Sequence, residues 1–558
     1  MLRWRRRLID WDAPVRRYPV GNAGESREVI SEQSAKLWTN LSAAEFPLTA
    51  GKVENLRVAA RRLHRVEIPA GEIWSFWKQL GRPTRANGFV AGRELREGCL
   101  VPAIGGGLCQ LSGLIYQAAL DAGLEVIERH GHTRVIAGSL AEEDKDATIF
   151  WNYVDLRLHH ARAWRMEVEL TTSELIVRIL SDQRGDVLEA KAVDAAKRPP
   201  ITGDCLTCGM VECFRHPSAL SDHAPAQGHS AYLLDGRWPE FEQWCAEHSR
   251  EGDCWLTPLD GCRWRKPNYQ WRRPSGISTR HATLVTLWRS FQHRRLPAQG
   301  ALRQRSLLDG SAALANHYAR KLDPTCRHVV VSQSLLPFLW RSGALGGRSF
   351  DVLIERWPLH ELQQCLDRAL ERHPDSPTLG DFRADPDLAR AEQEALAAAG
   401  RMVTPHRAMA EHFGAKAWLV DWKMPKPIER QPSAKPTVFL PCSRLGRKGA
   451  YELAAALRKL DGVELKHLGR AEEGVANLFE GVECSPASLQ DLAQAHALVL
   501  PAWVEHQPRH ALKALASGIP VVASTACGLP DHPNLHRMHE PSAAALEQIL
   551  RSILDTSP

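Results

Sequence analysis

Apolar and polar positions follow two periods along this chain, and the places where the period changes mark its parts. Asn55–Arg65 has the spacing of a short amphipathic helix, and Val66–Glu72 reads as a strand running into a turn. Leu111, Leu114, Ile115 and Ala118 recur at helical spacing within Cys109–Gly123. Glu125–Ile136 and Thr148–Leu158 are rich in β formers, and Met166–Leu170 and Leu175–Leu180 alternate as the two arms of a hairpin would. Beyond about residue 326, His328–Ser332 and Asp351–Glu355 read as short buried strands, and Leu388–Ala399 as a helix feeding the strand Arg401–Thr404. Strands alternating with helices predict a parallel sheet. Lys423–Pro436 holds four prolines and reads as an interdomain linker; the alternation then resumes from Thr437–Pro441, through Pro520–Ala523, to a final helix.

The 558 residues are too many for one core, so three or four folded units are expected. No run of about 18 apolar residues is present to cross a membrane. The basic start MLRWRRRLIDWDAPVRRYPV lacks the apolar core of a secretory signal, so the chain reads as cytoplasmic. That arm offers a peripheral contact with anionic lipid. A net charge of +6 over this length implies no nucleic-acid partner. Thirteen cysteines without a signal peptide are read first as core residues, metal ligands or nucleophiles.

The densest chemistry lies in Gly105-Gly106-Gly107-Leu108-Cys109-Gln110-Leu111-Ser112. Glycines permit a tight turn, and a helix starting at Cys109 would stabilise its thiolate. His132, with His130 as the competing base, and then Asp146 complete the chain order of a Cys-His-Asp hydrolase or acyl transferase. The segments GKVENLRVAARRLHRVEIPAGEIWSFW, GGGLCQLSGLIYQAALDAGLEVIERHGHT and DATIFWNYVDLRL resemble the VanW family over roughly 120 residues. The resemblance links the region to glycopeptide-resistance accessory genes and cell-envelope processes. It brings no assigned activity, so the roles of Cys109, His132 and Asp146 rest on residue chemistry.

Further on, Cys205, Cys208, Cys213 and His216 follow a C-x2-C-x4-C-x2-H spacing. Clustered soft thiolates suit tetrahedral zinc or an iron–sulfur cluster. Cys245, Cys254 and Cys262 are alternatives to His216 as fourth ligand.

Near the C-terminus, Phe439–Gly449 reads as a strand, a polar loop carrying Arg444 and Lys448, and a helix start. Cations at a strand's carboxyl end beside a helix N-terminus suit a diphosphate. With Leu498–Pro508 and Ala514–Ala523, this region resembles the donor-binding domain of retaining GT-B glycosyltransferases. The resemblance implies that Arg444 and Lys448 hold the diphosphate of a nucleoside-diphosphate sugar and that Glu505 lies at the donor sugar as a catalytic group. Lys513 stands at the donor-site position where that family's second glutamate usually binds ribose, and a lysine cannot accept hydrogen bonds from hydroxyls. No glycine-rich acceptor loop is evident.

The expected fold is thus α/β: a basic arm (1–47), a VanW-like α+β domain (48–182), a linker with the cysteine cluster (183–225), and a GT-B-like pair of Rossmann-like domains (226–424 and 425–558). The leading functional expectation is sugar transfer to a cell-envelope, glycan or lipid-linked acceptor. A Cys109-dependent acyl or amide hydrolase or transferase, and a non-catalytic envelope assembly or resistance accessory factor, are the alternatives.

Overall fold

The structure, a computed structural model, describes residues 6, 15–21, 27–39, 41–43, 45–96, 99–132, 145–182, 228–297, 300–475 and 477–555. Its contacts divide the chain into two units. One comprises Met1–His229 with Leu322–His328 and Ser342–Ser349; the other holds Ser230–Lys321, Val329–Arg341 and Phe350–Pro558.

The first unit is built on two helices, Phe46–Leu63 and Leu108–Ala122. The first opens with a proline, whose missing N–H costs nothing at that position. It is longer than the Asn55–Arg65 expected, because its early turns are buried by packing rather than marked by a clean apolar stripe. An antiparallel sheet runs in the order Glu28–Lys36, Glu174–Ser181, Trp164–Leu170, Val66–Ile68. Its two middle strands are the hairpin that the alternation predicts, with Met166 opposite Ile179 and Val168 opposite Val177. A three-stranded sheet (Ile73–Ser75, Arg157–His159, Glu125–Glu128) and the hairpin Ala91–Arg96/Cys99–Ile104 complete the unit. Part of the expected basic arm is structural here: Glu28–Lys36 is an edge strand. Arg6 pairs with Glu128 and donates to the Tyr153 carbonyl at 2.9 Å, and Arg16 pairs with Glu72 at 2.7 Å.

The second unit carries two sheets. The six-stranded one runs Glu483–Pro486, Glu464–His467, Thr437–Leu440, Ala497–Leu500, Val521–Ser524, Leu535–Met538, every neighbour parallel. In chain order that is 3-2-1-4-5-6, the doubly wound order of nucleotide-binding folds. Every residue of Thr437–Leu440, Ala497–Leu500 and Val521–Ser524 is buried, as central strands covered on both faces must be. The seven-stranded sheet runs Ser278–His281, Cys254–Thr257, Ser230–Leu233, His328–Ser332, Ser349–Leu353, Met402–Thr404, Ala417–Leu419, again with the 3-2-1-4-5-6 order and a seventh strand at the edge. Lys423–Pro436 forms no helix or strand, as its prolines lead one to expect. The α/β class and the paired Rossmann-like sheets agree with the sequence reading. Among the described residues no helix is long and apolar enough to cross a membrane.

Candidate active sites

The glycine run makes the turn that delivers Cys109. Gly105 (φ 83°) and Gly107 (φ 101°) adopt the left-handed conformation, and Gly107 is the N-cap of the helix Leu108–Ala122. At Gly106 a Cβ would sit 2.4 Å from the backbone of Gly92, so only glycine allows the turn to lie against that strand. Asn55, fully buried, locks the arrangement. Its amide donates to the carbonyls of Val90 (3.0 Å) and Gly106 (2.9 Å), while its Oδ1 accepts from the Val90 N–H (2.9 Å). The sequence reading took Asn55 only as the first residue of a helix, and nothing in the local pattern singled it out.

Cys109 is thereby placed in the first turn, where the helix dipole favours its thiolate. His132 Nδ1 lies 2.5 Å from Asp146 Oδ2, which also accepts from the His132 backbone N–H at 2.7 Å. Arg129 holds the other oxygen at 2.9 Å and donates through Nε to the Asp146 carbonyl at 2.7 Å. Cys109 Sγ has Thr148 Oγ1 at 3.7 Å and the Ile149 carbonyl at 3.9 Å. The electrostatics run one way. Burial pushes the Cys109 thiol up, but hydrogen bonds from His132, at the Ile149 backbone and from Thr148, with the His132 charge, bring it below its ordinary value. Hydrogen bonds to Asp146 and Cys109 outweigh burial and raise His132 to about 9. Burial likewise pushes Asp146 up, yet its hydrogen bonds to His132 and the charges of His132 and Arg129 hold it well below the usual carboxylate range. The arrangement favours a thiolate–imidazolium pair near neutral pH. His130, the competing base, is instead exposed and contacts Glu128 at 3.2 Å.

The expected metal ligands Cys205, Cys208, Cys213 and His216 lie outside the described residues. Among the described residues no group of three or more His, Cys, Asp or Glu is placed to hold a metal. Cys245 is a core residue of the helix Pro239–His248, and burial pushes its thiol up, away from the thiolate a metal needs.

In the second unit, the order of the six-stranded sheet reverses between Thr437–Leu440 and Ala497–Leu500, the switch point at which doubly wound folds bind ligands. The loops after these two strands carry Lys448 and Glu505, and the structure brings the pair together: Lys448 Nζ lies 2.8 Å from Glu505 Oε2 and donates to the Val504 carbonyl at 3.1 Å. Glu505 Oε1 accepts from the backbone N–H groups of His506 (2.8 Å) and Gln507 (3.0 Å). Burial raises Glu505, but the charge and hydrogen bond of Lys448 and the Gln507 N–H take it down to about 2. Gly449 (φ 78°) caps the helix Ala450–Leu457, and a Cβ there would meet the Pro501 carbonyl at 1.9 Å, so the two loops touch backbone to backbone. From the seven-stranded sheet, His406 reaches the same region, its Nε2 3.0 Å from the Ala526 carbonyl.

Arg444 does not join Lys448. It pairs with Glu472, lies over the Phe479 ring at 5.1 Å, and acts on His467 and Cys484 of the second and third strands. Arg447, which sequence reasoning passed over, acts on Cys442 together with Lys448 and Glu505. Its backbone carbonyl accepts from the Trp503 N–H at 3.0 Å, and no carboxylate pairs with its guanidinium among the described residues. Two buried nitrogens beside the Lys448–Glu505 pair lack partners, Arg447 Nε and His506 Nε2. An orphaned guanidinium N–H at a switch point fits an anionic ligand. Lys513 lies on the helix Arg509–Ala516 and has no carboxylate partner among the described residues.

Comparison with known proteins assigns part of this chain. The vancomycin B-type resistance protein VanW of Enterococcus faecalis is 27% identical over 165 residues, 29% of this chain and 60% of that protein. The uncharacterized protein YoaR of Bacillus subtilis is 29% identical over 106 residues, 19% of this chain and 34% of that one. The chain thus spans less than two thirds of either relative. Among solved structures, the sucrose-phosphate synthase of Thermosynechococcus elongatus is 15% identical with a TM-score of 0.37, covering 56% of this chain and 82% of that one. The Anabaena protein HepE, solved with UDP and glucose, is 15% identical with a TM-score of 0.35, covering 59% and 90%. The lipopolysaccharide outer core galactosyltransferase WaaB is 15% identical with a TM-score of 0.32, covering 59% and 90%. The strand orders themselves, rather than these partial superpositions, carry the paired Rossmann-like architecture. Residues 51–180 match the family of VanW-like proteins, and this part of the chain is a VanW-like domain.

Proposed function

We propose that the second unit is a glycosyltransferase that uses a nucleoside-diphosphate sugar on a cell-envelope glycan or lipid-linked acceptor. The observation that carries this reading is the Lys448–Glu505 pair at the switch point of a 3-2-1-4-5-6 parallel sheet, with a second Rossmann-like sheet in the same unit. In the reaction the anomeric carbon's bond to the diphosphate oxygen breaks and its bond to the acceptor oxygen forms, with the acceptor's proton released. Lys448 and Arg447 neutralise the departing diphosphate, and preorganised charge of this kind dominates such transfers. Glu505 trades its contact with Lys448 for the donor sugar's hydroxyls. Lys513, unable to accept from ribose hydroxyls, leaves nucleoside recognition to other groups. The free thiols of the described residues suit a reducing, cytoplasmic setting. The test is isothermal calorimetry with UDP and its sugars followed by a transfer assay. A chain that binds no nucleotide sugar, or binds one identically after Lys448→Ala, ends this reading.

A second reading belongs to the VanW-like domain and is favoured by its own geometry: Cys109 as nucleophile, His132 as base and Asp146 as the group that orients it. The thiolate attacks an acyl or amide carbon, His132 hands its proton to the leaving amine or alcohol, and water or a second nucleophile releases the acyl group. Site-resolved alkylation across pH tests it. Cys109 is expected to label first among the thirteen cysteines; labelling that lags the bulk, with an apparent pKa near the free value of about 8.5, makes it a packing residue.

A further inference from the structure

From the helix Thr283–Arg294 and the loop before it, we infer that the second unit docks on an anionic lipid surface. The helix is turned inside out. Leu284, Leu287, Trp288 and Phe291 fall at i, i+3, i+4 and i+7, the stripe that a surface helix ordinarily turns to the core, yet all four are exposed, Leu284 by 84% and Phe291 by 48%. The buried positions are the polar ones. Thr286 donates to the Pro258 carbonyl at 2.6 Å, and Arg289 makes two hydrogen bonds to Asp235, at 3.1 and 3.0 Å. These contacts pin the rotation of the helix and hold the apolar stripe outward. Exposed Leu302, on the next helix, and Trp264, on the preceding loop, add to the apolar surface of this segment.

Charge says what covers it. Residues 261–308 contain eleven arginines and lysines and no aspartate or glutamate, within a chain that otherwise nearly balances its charges. Arg289 is engaged by Asp235; Arg263, Arg265, Lys266, Arg294 and Arg295 are exposed and meet no carboxylate among the described residues. Arg295 lies over the Phe291 ring at 4.0 Å, a cation beside an aromatic at the end of the stripe. Apolar and aromatic side chains in one band, with cations flanking it, are the signature of an interfacial helix: the band enters the acyl boundary and the cations meet phosphates. Bare leucines in the band favour lipid over nucleic acid, which would be met by stacking and hydrogen bonding. The inference rests on residues 261–308 alone and is independent of the sugar-transfer reading.

The full chain is sedimented with vesicles of phosphatidylcholine, alone or mixed with phosphatidylglycerol. The wild type is expected to partition with the mixed vesicles and to be released by salt. Leu284→Ser/Trp288→Ser should bind them about tenfold more weakly. Arg294→Glu/Arg295→Glu should lose the preference for the anionic lipid. Both variants alter exposed positions, so circular dichroism and thermal midpoint should not move. Several results overturn the inference: wild type left in the supernatant, or equal binding by the first variant, which would assign the contact to the N-terminal arm. Tight binding of RNA without vesicle binding, or a dimer in solution that Leu284→Ser/Trp288→Ser dissolves, would assign the patch to another occupant.

Discussion

Around Cys109 every polar neighbour works toward a single charge pair. The helix dipole and His132 favour the thiolate, while Asp146 and Arg129 fix the imidazole that accompanies it. Around Lys448 the protein has already neutralised its own cation with Glu505, and Arg444 is engaged by Glu472. On the readings proposed above, the first site would meet an uncharged substrate carbon, and the second would exchange an internal ion pair for an external one on binding a diphosphate. Charged residues picked out from sequence can thus be assembled in two ways: as a hydrogen-bonded thiol–imidazole–carboxylate array, or as an ion pair closed on itself.

The sharpest break of this comparison is at His132. His132→Ala should slow iodoacetamide labelling of Cys109 at mildly acidic pH by roughly 100-fold, since the thiolate is then without its main partner. Labelling that is unchanged would mean that the thiol site is no more preassembled than the other. Next comes the ion pair itself. Lys448→Ala should weaken UDP binding by about 10–100-fold, the effect of removing one charge-assisted phosphate interaction. Glu505→Gln should instead bind UDP at least as well while sugar transfer falls, because the substitution frees the cation but takes away the carboxylate that would hold the sugar. Weaker UDP binding by Glu505→Gln would show that the pair is part of the formed site and not a lock on it.

A smaller effect separates the two arginines. Arg447→Ala should cost roughly tenfold in UDP affinity and Arg444→Ala clearly less, because Arg444 faces the second and third strands. Titration calorimetry on both variants would reverse the order if the assignment from sequence spacing is right. The smallest effect is on stability against pH. His132 is raised from 6.5 to about 9 on folding, so its contribution is complete below pH 6.5 and is lost as pH rises through 9. Asp146, lowered on folding, contributes above its ordinary value of 3.8 and loses that contribution as pH falls. The gap in thermal midpoint between wild type and His132→Gln should therefore narrow from pH 6.5 toward 9; a constant gap would mean that the imidazole carries no charge in the folded chain.

What was legible in the sequence is what rests on local physics. Alternation placed the hairpin Trp164–Leu170/Glu174–Ser181 and the buried strands His328–Ser332, Met402–Thr404, Thr437–Leu440 and Val521–Ser524, though not Ser230–Leu233 or Cys254–Thr257, and four prolines placed the segment without secondary structure before Thr437. The glycine run announced a turn at Cys109, because few other residues adopt positive φ. The chain order of Cys109, His132 and Asp146 named one set of candidates, and the resemblance to GT-B glycosyltransferases named Arg444, Lys448 and Glu505 as another. Tertiary structure alone decided what depends on distant backbone. It turned His132, not His130, toward the thiol, by anchoring Asp146 with Arg129 and the His132 N–H. It gave Asn55 its role, through carbonyls 35 and 51 residues away. It sent Arg444 to Glu472 and left Arg447 beside Lys448, a choice between neighbours that spacing cannot make. And it turned Leu284, Leu287, Trp288 and Phe291 outward, against the periodicity that would bury them, because Thr286 and Arg289 find their hydrogen bonds on the inner side.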